Sequence, residues 1–290
     1  MLLFLLAKLS KIWYNICEYN YKGGFFMPLF DGLEEFKNVS PALQWAIFIV
    51  GVLIAIVAVI SVCVSIWLMF KYLEFNKKQN SANMTGNEVA RKLLDKNGLR
   101  HIKVSTWGSL LFGNSYSHYF RKVRLRRLIQ NKSSVTSLAM AAEKTALAVM
   151  DKEGDKDMKT RVRLTPLIYF GPLAFIPLVL IGVIIDLLVF NLTGVVTTIF
   201  AGLGLVIYLI SFILAIKVLK TERKAQDKAI KMLKAEDMAT DEEASMMKEL
   251  FKIYNIQYVN DIVMAFLEMI MRVLNFIASI QNGKASANND

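Results

Sequence analysis

Four long apolar runs dominate the hydrophobic pattern of this chain. Residues 42–70 contain no charged side chain, 164–190 contain one, 194–216 contain none and 258–280 contain three. Because about 20 helical residues cross the ~30 Å hydrocarbon core of a bilayer, each run predicts a transmembrane helix. The short gap at 191–193 predicts a tight hairpin between the second and third helices. The pattern therefore predicts a mainly α membrane protein with about four transmembrane helices.

In the two segments between these runs, 71–163 and 217–257, hydrophobic residues recur at the short spacings of strands and amphipathic helices. Two stretches of alternating side chains, 101–104 and 122–125, predict strands. Three helices are predicted where a capping residue precedes an apolar stripe. Their capping residues are Thr85, then Ser133 or Ser134, and Thr240. These segments predict a small α+β domain in 71–163 that 217–257 completes.

Composition supports the membrane assignment, because 55% hydrophobic and 20% charged residues are too apolar for an ordinary soluble domain. The formal net charge is +11, and 71–163 holds 20 Lys and Arg against eight Asp and Glu. Basic residues beside apolar runs suit the anionic inner leaflet, so 71–163 and 217–257 are predicted in the cytoplasm, with both termini outside. We expect a multi-pass cell-membrane protein with lipids as partners. No motif for nucleic-acid binding is visible, and we expect none.

The two ends of the chain lie outside these runs. Residues 1–41 are predicted as an N-terminal extension, either with an interfacial helix or with translation starting at Met27. A cleaved signal peptide is disfavoured because no small-residue cleavage site stands out. The polar residues 281–290 predict a disordered tail.

Cysteine and histidine usage limits the possible metal sites. Cys17 and Cys63 form neither a disulfide framework nor a cysteine metal motif. His101 and His118 are the two histidines, and their separation of 17 positions is not that of ligands on one helix face. A histidine-rich metal site is therefore excluded.

Collinear motifs along 53–280 resemble the membrane-bound neutral zinc metallopeptidases (the YugP type). The matching motifs keep the family's order: Thr85-Gly86-Asn87-Glu88-Val89-Ala90-Arg91, Asn97-Gly98-Leu99, Ser117-His118-Tyr119-Phe120, Ala141-Ala142 and Glu222-Arg223-Lys224-Ala225. In the family the Ala-Ala pair leads into a zinc-binding His-Glu-x-x-His helix, and the glutamate matching Glu222 is taken as the third zinc ligand. The resemblance implies a zincin-like α+β domain and descent from a membrane peptidase.

The chain departs from the family at the zinc motif itself. Glu143 stands for the first histidine, Lys144 for the catalytic glutamate and Leu147 for the second histidine. Zinc needs two imidazoles one helical turn apart and a carboxylate that takes a proton from the bound water. An aliphatic side chain cannot ligate, and an ammonium group repels the ion. We therefore expect no zinc cofactor and no catalytic residue, with Glu222 the one ligand type retained.

Two interpretations of the altered positions stay open. Glu143 and Lys144 are either ordinary solvated helix residues, or Lys144 takes the metal position and pairs with Glu222 as a counter-charge. His118 is predicted to be a structural residue of a hairpin. Without the family's flanking aspartates, nothing nearby is expected to orient its imidazole as a base.

Four charged residues fall inside the apolar runs. Asp186 is expected about one turn from the outer boundary, reaching toward water. Asp261 is expected at the interface, while Glu268 and Arg272, four residues apart, either neutralise each other or contact another subunit.

Together these observations predict a membrane pseudo-peptidase that acts as a non-catalytic binding, scaffold or regulatory subunit. Its expected partners are other membrane proteins, a protease complex or further copies of itself. The alternative is an active zinc metallopeptidase with an unorthodox site built from Glu143, Glu222 and His118. A transporter is a more distant alternative, suggested only by the prolines of 164–190.

Overall fold

The computed structural model describes residues 39–189 and 195–287, without the side chains of 111–112, 166–176 and 283–287. The described elements are α1 (Pro41–Lys77), α2 (Gly86–Lys96), β1 (Lys103–Ser105), α3 (Ser109–Phe112), β2 (Ser115–Ser117), β3 (Lys122–Arg124), α4 (Arg127–Gln130), α5 (Val135–Lys152), α6 (Lys156–Val189), α7 (Val195–Ala235) and α8 (Asp241–Ala287). The predictions for the N-terminal extension up to residue 38 and for the hairpin at 191–193 lie outside the described residues. The predicted tail is different: α8 remains helical to Ala287, so 281–287 is not the disordered segment that we expected.

Three helices among the described residues are long and apolar enough to cross a membrane: α1, α7 and α8. In α6 the described apolar part, Pro177–Val189, is shorter than a span. The described residues thus provide three candidate membrane helices rather than the four expected. Large apolar side chains are exposed along α1 and α7, including Val59 and Ile199, as lipid-facing positions require.

The helices continue across the boundaries predicted between membrane and soluble segments. The apolar run 194–216 and the charged segment after it belong to one helix, α7, which ends at Ala235. In the same way, α1 continues past residue 70 to Lys77 and α6 begins at Lys156, before residue 164. Charged residues mark where polarity changes along the chain, but Lys, Arg and Glu are good helix formers and do not end a helix.

The chain divides into a terminal unit, 1–56 with 267–290, and a central unit, 57–266. In the terminal unit, Leu43 and Ile47 of α1 belong to a cluster of buried residues with Ala278 of α8. The backbone N–H of Ser40 donates to the side-chain oxygen of Gln281 at 2.9 Å. This unit therefore joins the beginning of α1 to the end of α8.

The core of the central unit surrounds α5. Every side chain from Val135 to Met150 is buried except that of Lys144, which is partly exposed. A helix that is buried on all sides is the centre of its domain rather than a surface element. Its first turn is capped by Ser134, whose hydroxyl accepts a hydrogen bond from the N–H of Ser137 at 3.1 Å. The prediction of a serine-capped helix is confirmed.

A small sheet and α2 cover one part of α5. The strand order is β1-β3-β2, with β1 parallel and β2 antiparallel to the central β3. The predicted capping box of α2 is present, with the hydroxyl of Thr85 accepting from the N–H of Glu88 and the Glu88 carboxylate accepting in return. Gly98 follows this helix with a φ of 66°, which an L-residue rarely adopts. Both predicted strands exist, displaced by one or two residues, and β2 is additional.

Asp186 links α6 to the beginning of α7. Its carboxylate accepts hydrogen bonds from the N–H groups of Val196 at 3.2 Å and Thr197 at 2.7 Å, and from the Thr197 hydroxyl at 2.6 Å. The first turn of a helix has unpaired N–H groups, and a carboxylate satisfies them. Asp186 is 1% exposed, so the expectation that it reaches toward water was wrong.

The two helices approach each other closely beside Gly182. A Cβ placed on Gly182 would lie 2.7 Å from the Cα of Thr197, whereas one placed on Gly202 would meet nothing within 4 Å. Backbone atoms cannot yield as a flexible side chain can. Only hydrogen at position 182 permits this contact.

We predict that Gly182→Ala and Gly202→Ala have effects of opposite sign on stability. Alanine favours a helix over glycine by roughly 0.5–1 kcal/mol, so Gly202→Ala should leave the melting temperature unchanged or raise it. Gly182→Ala should lower it, because overpacking typically costs about 1–3 kcal/mol. Thermal unfolding of both variants in the same detergent tests this. Equal effects would show that α6 and α7 are not in close contact there.

Candidate functional site: a buried charge cluster between three helices

The altered motif lies where α5 packs against α7. Both helices carry fully buried alanines, Ala142 and Ala146 on α5 and Ala225 and Ala229 on α7. Small side chains allow helix backbones to approach closely. Longer side chains that project between the helices, those of Glu143, Lys144 and Glu222, are thereby forced into contact with each other.

Four charged side chains form the site, which we call the charge cluster: Glu143, Lys144, Arg161 and Glu222. The Lys144 ammonium lies 2.8 Å from a carboxylate oxygen of Glu143 and 3.1 Å from one of Glu222. The guanidinium of Arg161, on α6, lies 2.7 Å from the other oxygen of Glu222. The cluster therefore joins α5, α6 and α7 through two acids and two bases.

Neutral amides complete the hydrogen bonding of the cluster. Gln226 Nε2 donates to the remaining oxygen of Glu143 at 2.9 Å. Asn255, on α8, donates to Gln226 Oε1 at 2.8 Å and so holds that amide in place. All four carboxylate oxygens of Glu143 and Glu222 thus accept a hydrogen bond from a side chain of the chain itself.

Burial and charge shift the pKa values within the cluster in different directions. Burial raises the pKa of Glu143, and the neighbouring Glu222 raises it further, against the opposing effect of Lys144. Burial alone would lower the pKa of Lys144, but the carboxylates of Glu143 and Glu222 outweigh it and the pKa is raised. Burial would raise the pKa of Glu222, yet Lys144 and Arg161 outweigh it and the pKa is lowered. Near neutral pH, Lys144 is therefore cationic and Glu222 anionic.

The structure contains the ion pair between Lys144 and Glu222 that the sequence predicted. The other interpretation, in which Glu143 and Lys144 are solvated, does not hold, because their side chains are 5% and 13% exposed. The reason is the position of α5, which is covered on all sides. Leu147 is fully buried and belongs to the hydrophobic core.

His118 binds a partner at another place on α5. Its Nδ1 lies 2.6 Å from Oδ2 of Asp151, and the Tyr116 hydroxyl donates to the same oxygen at 2.6 Å. The expectation that nothing orients this imidazole was therefore wrong: Asp151 is distant in sequence but close in the fold. Asp151 lies eight residues beyond Glu143, about 12 Å along the helix axis. His118 thus pairs with a residue two turns away from the charge cluster.

Four contributors to these two sites were missed in the sequence. Gln226 could have been found, because it follows Glu222 by four residues and so shares its helix face. Asp151 carried no signal in the sequence for pairing with His118. Arg161 and Asn255 reach the cluster from α6 and α8, and no sequence spacing relates those helices to α5.

The residues at the family's zinc positions do not fit a zinc ion. Both oxygens of Glu143 are occupied by Lys144 and Gln226, Leu147 offers only hydrocarbon, and the Lys144 ammonium lies between the two carboxylates. Zinc sites need three or four nitrogen, sulfur or oxygen ligands around one point. Among residues 39–189 and 195–287, no group of three or more His, Cys, Asp or Glu side chains could hold a metal.

The charged residues of the last apolar run differ in their surroundings. Asp261 accepts a hydrogen bond from Gln257 Nε2 at 2.8 Å, and Gln257 Oε1 accepts one from Ser65 on α1 at 3.2 Å. Asp261 thus belongs to a polar contact between α1 and α8. Glu268 is partly buried and Arg272 is exposed. That they neutralise each other or contact another subunit stays a prediction.

The apolar helices and the buried cluster define a helical membrane protein with a charged contact between α5, α6 and α7. The family model described as "Putative neutral zinc metallopeptidase" matches residues 48–277. The chain belongs to this family, as its motifs indicated.

One curated relative is "Putative membrane protease YugP" of Bacillus subtilis (strain 168), which is 28% identical over 126 residues. The match covers 41% of this chain and 56% of the relative, so the chain matches little more than half of that protein's length. No solved structure matches the chain.

We predict that Lys144→Met is much more destabilising than a surface substitution of the same type. The substitution leaves the buried carboxylates of Glu143 and Glu222 with Arg161 as their single cation. Breaking a buried ion pair typically lowers the free energy of unfolding by about 3–5 kcal/mol. Lys228→Met is the matched control, because Lys228 binds Glu153 at the surface of the same helix pair. Loss of this surface ion pair should lower the free energy of unfolding by less than about 1 kcal/mol. Thermal unfolding in detergent measures both, and equal losses would contradict a stabilising role for the cluster.

We also predict that the stability of the folded chain decreases at acid pH because Glu222 becomes protonated. Its folded pKa is lowered from the ordinary 4.5, so the unfolded chain takes up this proton first as the pH falls. Stability from Glu222 is therefore present above about pH 4.5 and lost below it. The difference in melting temperature between the unmodified chain and Glu222→Gln should shrink from pH 6 to about pH 3. A difference that stays constant would show that Glu222 titrates normally.

Proposed function

We propose that this chain is a non-catalytic member of the zinc metallopeptidase family, acting in the membrane as a binding, scaffold or regulatory subunit. One observation carries the proposal: the Lys144 ammonium lies between the Glu143 and Glu222 carboxylates at the positions of the family's motif. An internal cation thus provides the positive charge that a metal ion provides in the family.

Peptide hydrolysis by a zinc site needs an activated water molecule and a base that accepts its proton. The position of the base holds Lys144, whose raised pKa keeps it protonated and unable to accept a proton. The carboxylates that remain are fully used as hydrogen-bond acceptors. The cluster's chemistry is therefore that of a structural contact, which holds α5, α6 and α7 in the arrangement inherited from an enzyme.

A retained scaffold without hydrolysis suits a protein that binds another protein. We propose partners in the same membrane: other membrane proteins, a protease complex or a second copy of the chain. The relative named as a membrane protease supports this class of partner. The excess of Lys and Arg in 71–163 and in the charged part of α7 supports a cytoplasmic location for the soluble segments.

The test is the zinc content and peptidase activity of the purified full chain in mild detergent. We expect far less than one zinc ion per chain after dialysis against micromolar zinc, measured by mass spectrometry. Cleavage of an unfolded protein substrate should equal the background. Glu222→Gln should change neither value, and nor should the control Glu242→Gln, which removes an exposed carboxylate.

The alternative of an active peptidase predicts a different set of results. Zinc would bind at one ion per chain, a chelator would abolish cleavage, and Glu222→Gln would remove both zinc and activity while Glu242→Gln would not. If the unorthodox site included His118, then His118→Ala would also lose zinc. Any such pattern would overturn the proposal.

A further inference from the structure

Large apolar side chains are exposed on a segment that belongs to no candidate membrane helix. Five of them are between 63% and 94% exposed: Trp107, Leu110, Tyr119, Phe120 and Leu128. The same segment also contains five basic residues that are exposed or partly exposed: Lys103, Arg121, Lys122, Arg126 and Arg127. We call these ten residues the aromatic–basic surface. Clustered apolar exposure of this kind marks an interaction site rather than an ordinary water-facing surface.

The charge of this segment has one sign only. Between residues 96 and 142 there are nine Lys and Arg and no Asp or Glu. The charged groups also lie beside the rings, with the Lys122 ammonium 5.4 Å from the centre of the Trp107 ring and the Arg124 guanidinium 5.5 Å from that of Phe120. A complementary partner is therefore anionic and offers an apolar layer next to its charges.

Tight backbone turns present the aromatic residues to the outside. Arg121 has a φ of 45°, and its N–H donates to the carbonyl of His118 at 3.2 Å, closing a turn around Tyr119 and Phe120. A positive φ is uncommon for a residue with a long side chain. Gly108 makes a second such turn after Trp107, with a φ of 80°. These two turns thus hold the rings of Trp107, Tyr119 and Phe120 at the surface.

Contacts join α5 and the first turn of α6 to residues just beyond the apolar runs of α1 and α7. The Thr136 hydroxyl donates to the carbonyl of Tyr72 at 3.2 Å, two residues beyond the apolar run of α1. Lys144 binds Glu222, six residues beyond the run of α7, or about 9 Å of helix. Asp157, just after α5, binds Lys220, four residues beyond the same run. The beginning and the middle of α5 therefore lie near the ends of the apolar runs, whereas Glu153, which follows α5, binds Lys228, twelve residues beyond the run of α7.

The sheet that carries the aromatic–basic surface is attached directly to α5. Tyr116 and His118 of this segment both bind Asp151 at 2.6 Å. The surface is thereby connected, through α5, to the helices α1 and α7 that carry the apolar runs. Burial raises the pKa of the Tyr72 hydroxyl, and the nearby positive charge of Arg126 partly offsets this, which agrees with a sheet close to the end of α1.

We infer that the aromatic–basic surface binds the anionic headgroup layer of the same bilayer that the chain's own helices cross. Tryptophan and tyrosine are enriched at the headgroup level, where one part of the side chain is apolar and the other is hydrated. Lysine and arginine near the surface gain from anionic lipids. A lipid layer thus matches both halves of this surface. The inference does not depend on whether the chain is catalytic.

The test places a fluorescent label on the surface in a full chain reconstituted into nanodiscs. Cys17→Ser and Cys63→Ala remove the native thiols, and Tyr119→Cys receives an environment-sensitive dye. The control site is Ala235→Cys, exposed at the far end of α7. The nanodiscs contain either phosphatidylcholine alone or phosphatidylcholine with 30% phosphatidylglycerol, with and without lipids spin-labelled near the headgroup.

In the anionic nanodiscs, we expect spin-labelled lipid to quench the dye at 119 at least about twofold more than the dye at 235. The excess should fall in phosphatidylcholine alone, in 1 M salt, and when Arg121, Lys122, Arg126 and Arg127 are replaced by Gln. An unchanged melting temperature will show that these exposed substitutions leave the fold intact.

Three results would overturn the inference. Equal quenching at 119 and 235, with equal access to aqueous iodide, would mean that the surface faces water. Equal quenching in neutral and anionic nanodiscs would remove the role of lipid charge. Protection from iodide without lipid quenching, together with energy transfer between labelled copies, would identify a second copy of the chain as the occupant.

Discussion

Two buried carboxylates, those of Glu143 and Glu222, require positive charge inside the protein, and this requirement organises the central unit. Lys144 and Arg161 meet it from α5 and α6, within 3.1 Å of the oxygens they neutralise. A carboxylate without such a partner would pay a large desolvation cost. Because the four groups come from three helices, the positions of these helices depend on one another.

The charge cluster lies at the positions that correspond to the family's zinc motif. A zinc site holds its helices together by sharing ligands around one cation. In this chain the Lys144 ammonium lies between two carboxylates at the corresponding place. The amides of Gln226 and Asn255 satisfy what remains. Family membership therefore describes the scaffold, while the chemistry depends on which side chains occupy it.

Polar groups elsewhere in the chain follow the same rule of internal satisfaction. Asp186 satisfies the first N–H groups of α7, and Gln257 connects Ser65 with Asp261. In each case a polar side chain in or near an apolar run forms a hydrogen bond with a group on another helix. The aromatic–basic surface is the opposite case, since its apolar groups are outside and need a partner beyond the chain. The anionic headgroup layer proposed as that partner would suit both kinds of group.

The sequence by itself determined the elements whose cause is local. Uninterrupted apolar runs determined the long helices, and the side chains of Thr85, Ser134 and Thr240 determined where three helices begin. The residue types at the family's zinc positions were also readable in the sequence, whereas the absence of zinc and of catalysis stays a prediction. Even the pairing of Lys144 with Glu222 could be predicted, since the family's motifs relate those two positions.

Only the tertiary structure decided the contacts between elements that no spacing relates. Arg161, Asn255 and Asp151 reach their partners because helices cross at those points. The burial of Glu143 and Lys144 follows from the complete covering of α5 by its neighbours, which a polar pair in a sequence does not reveal. Asp186 likewise caps a helix that begins nine residues later. Side-chain type sets what a residue can bind, but packing in three dimensions sets what it meets.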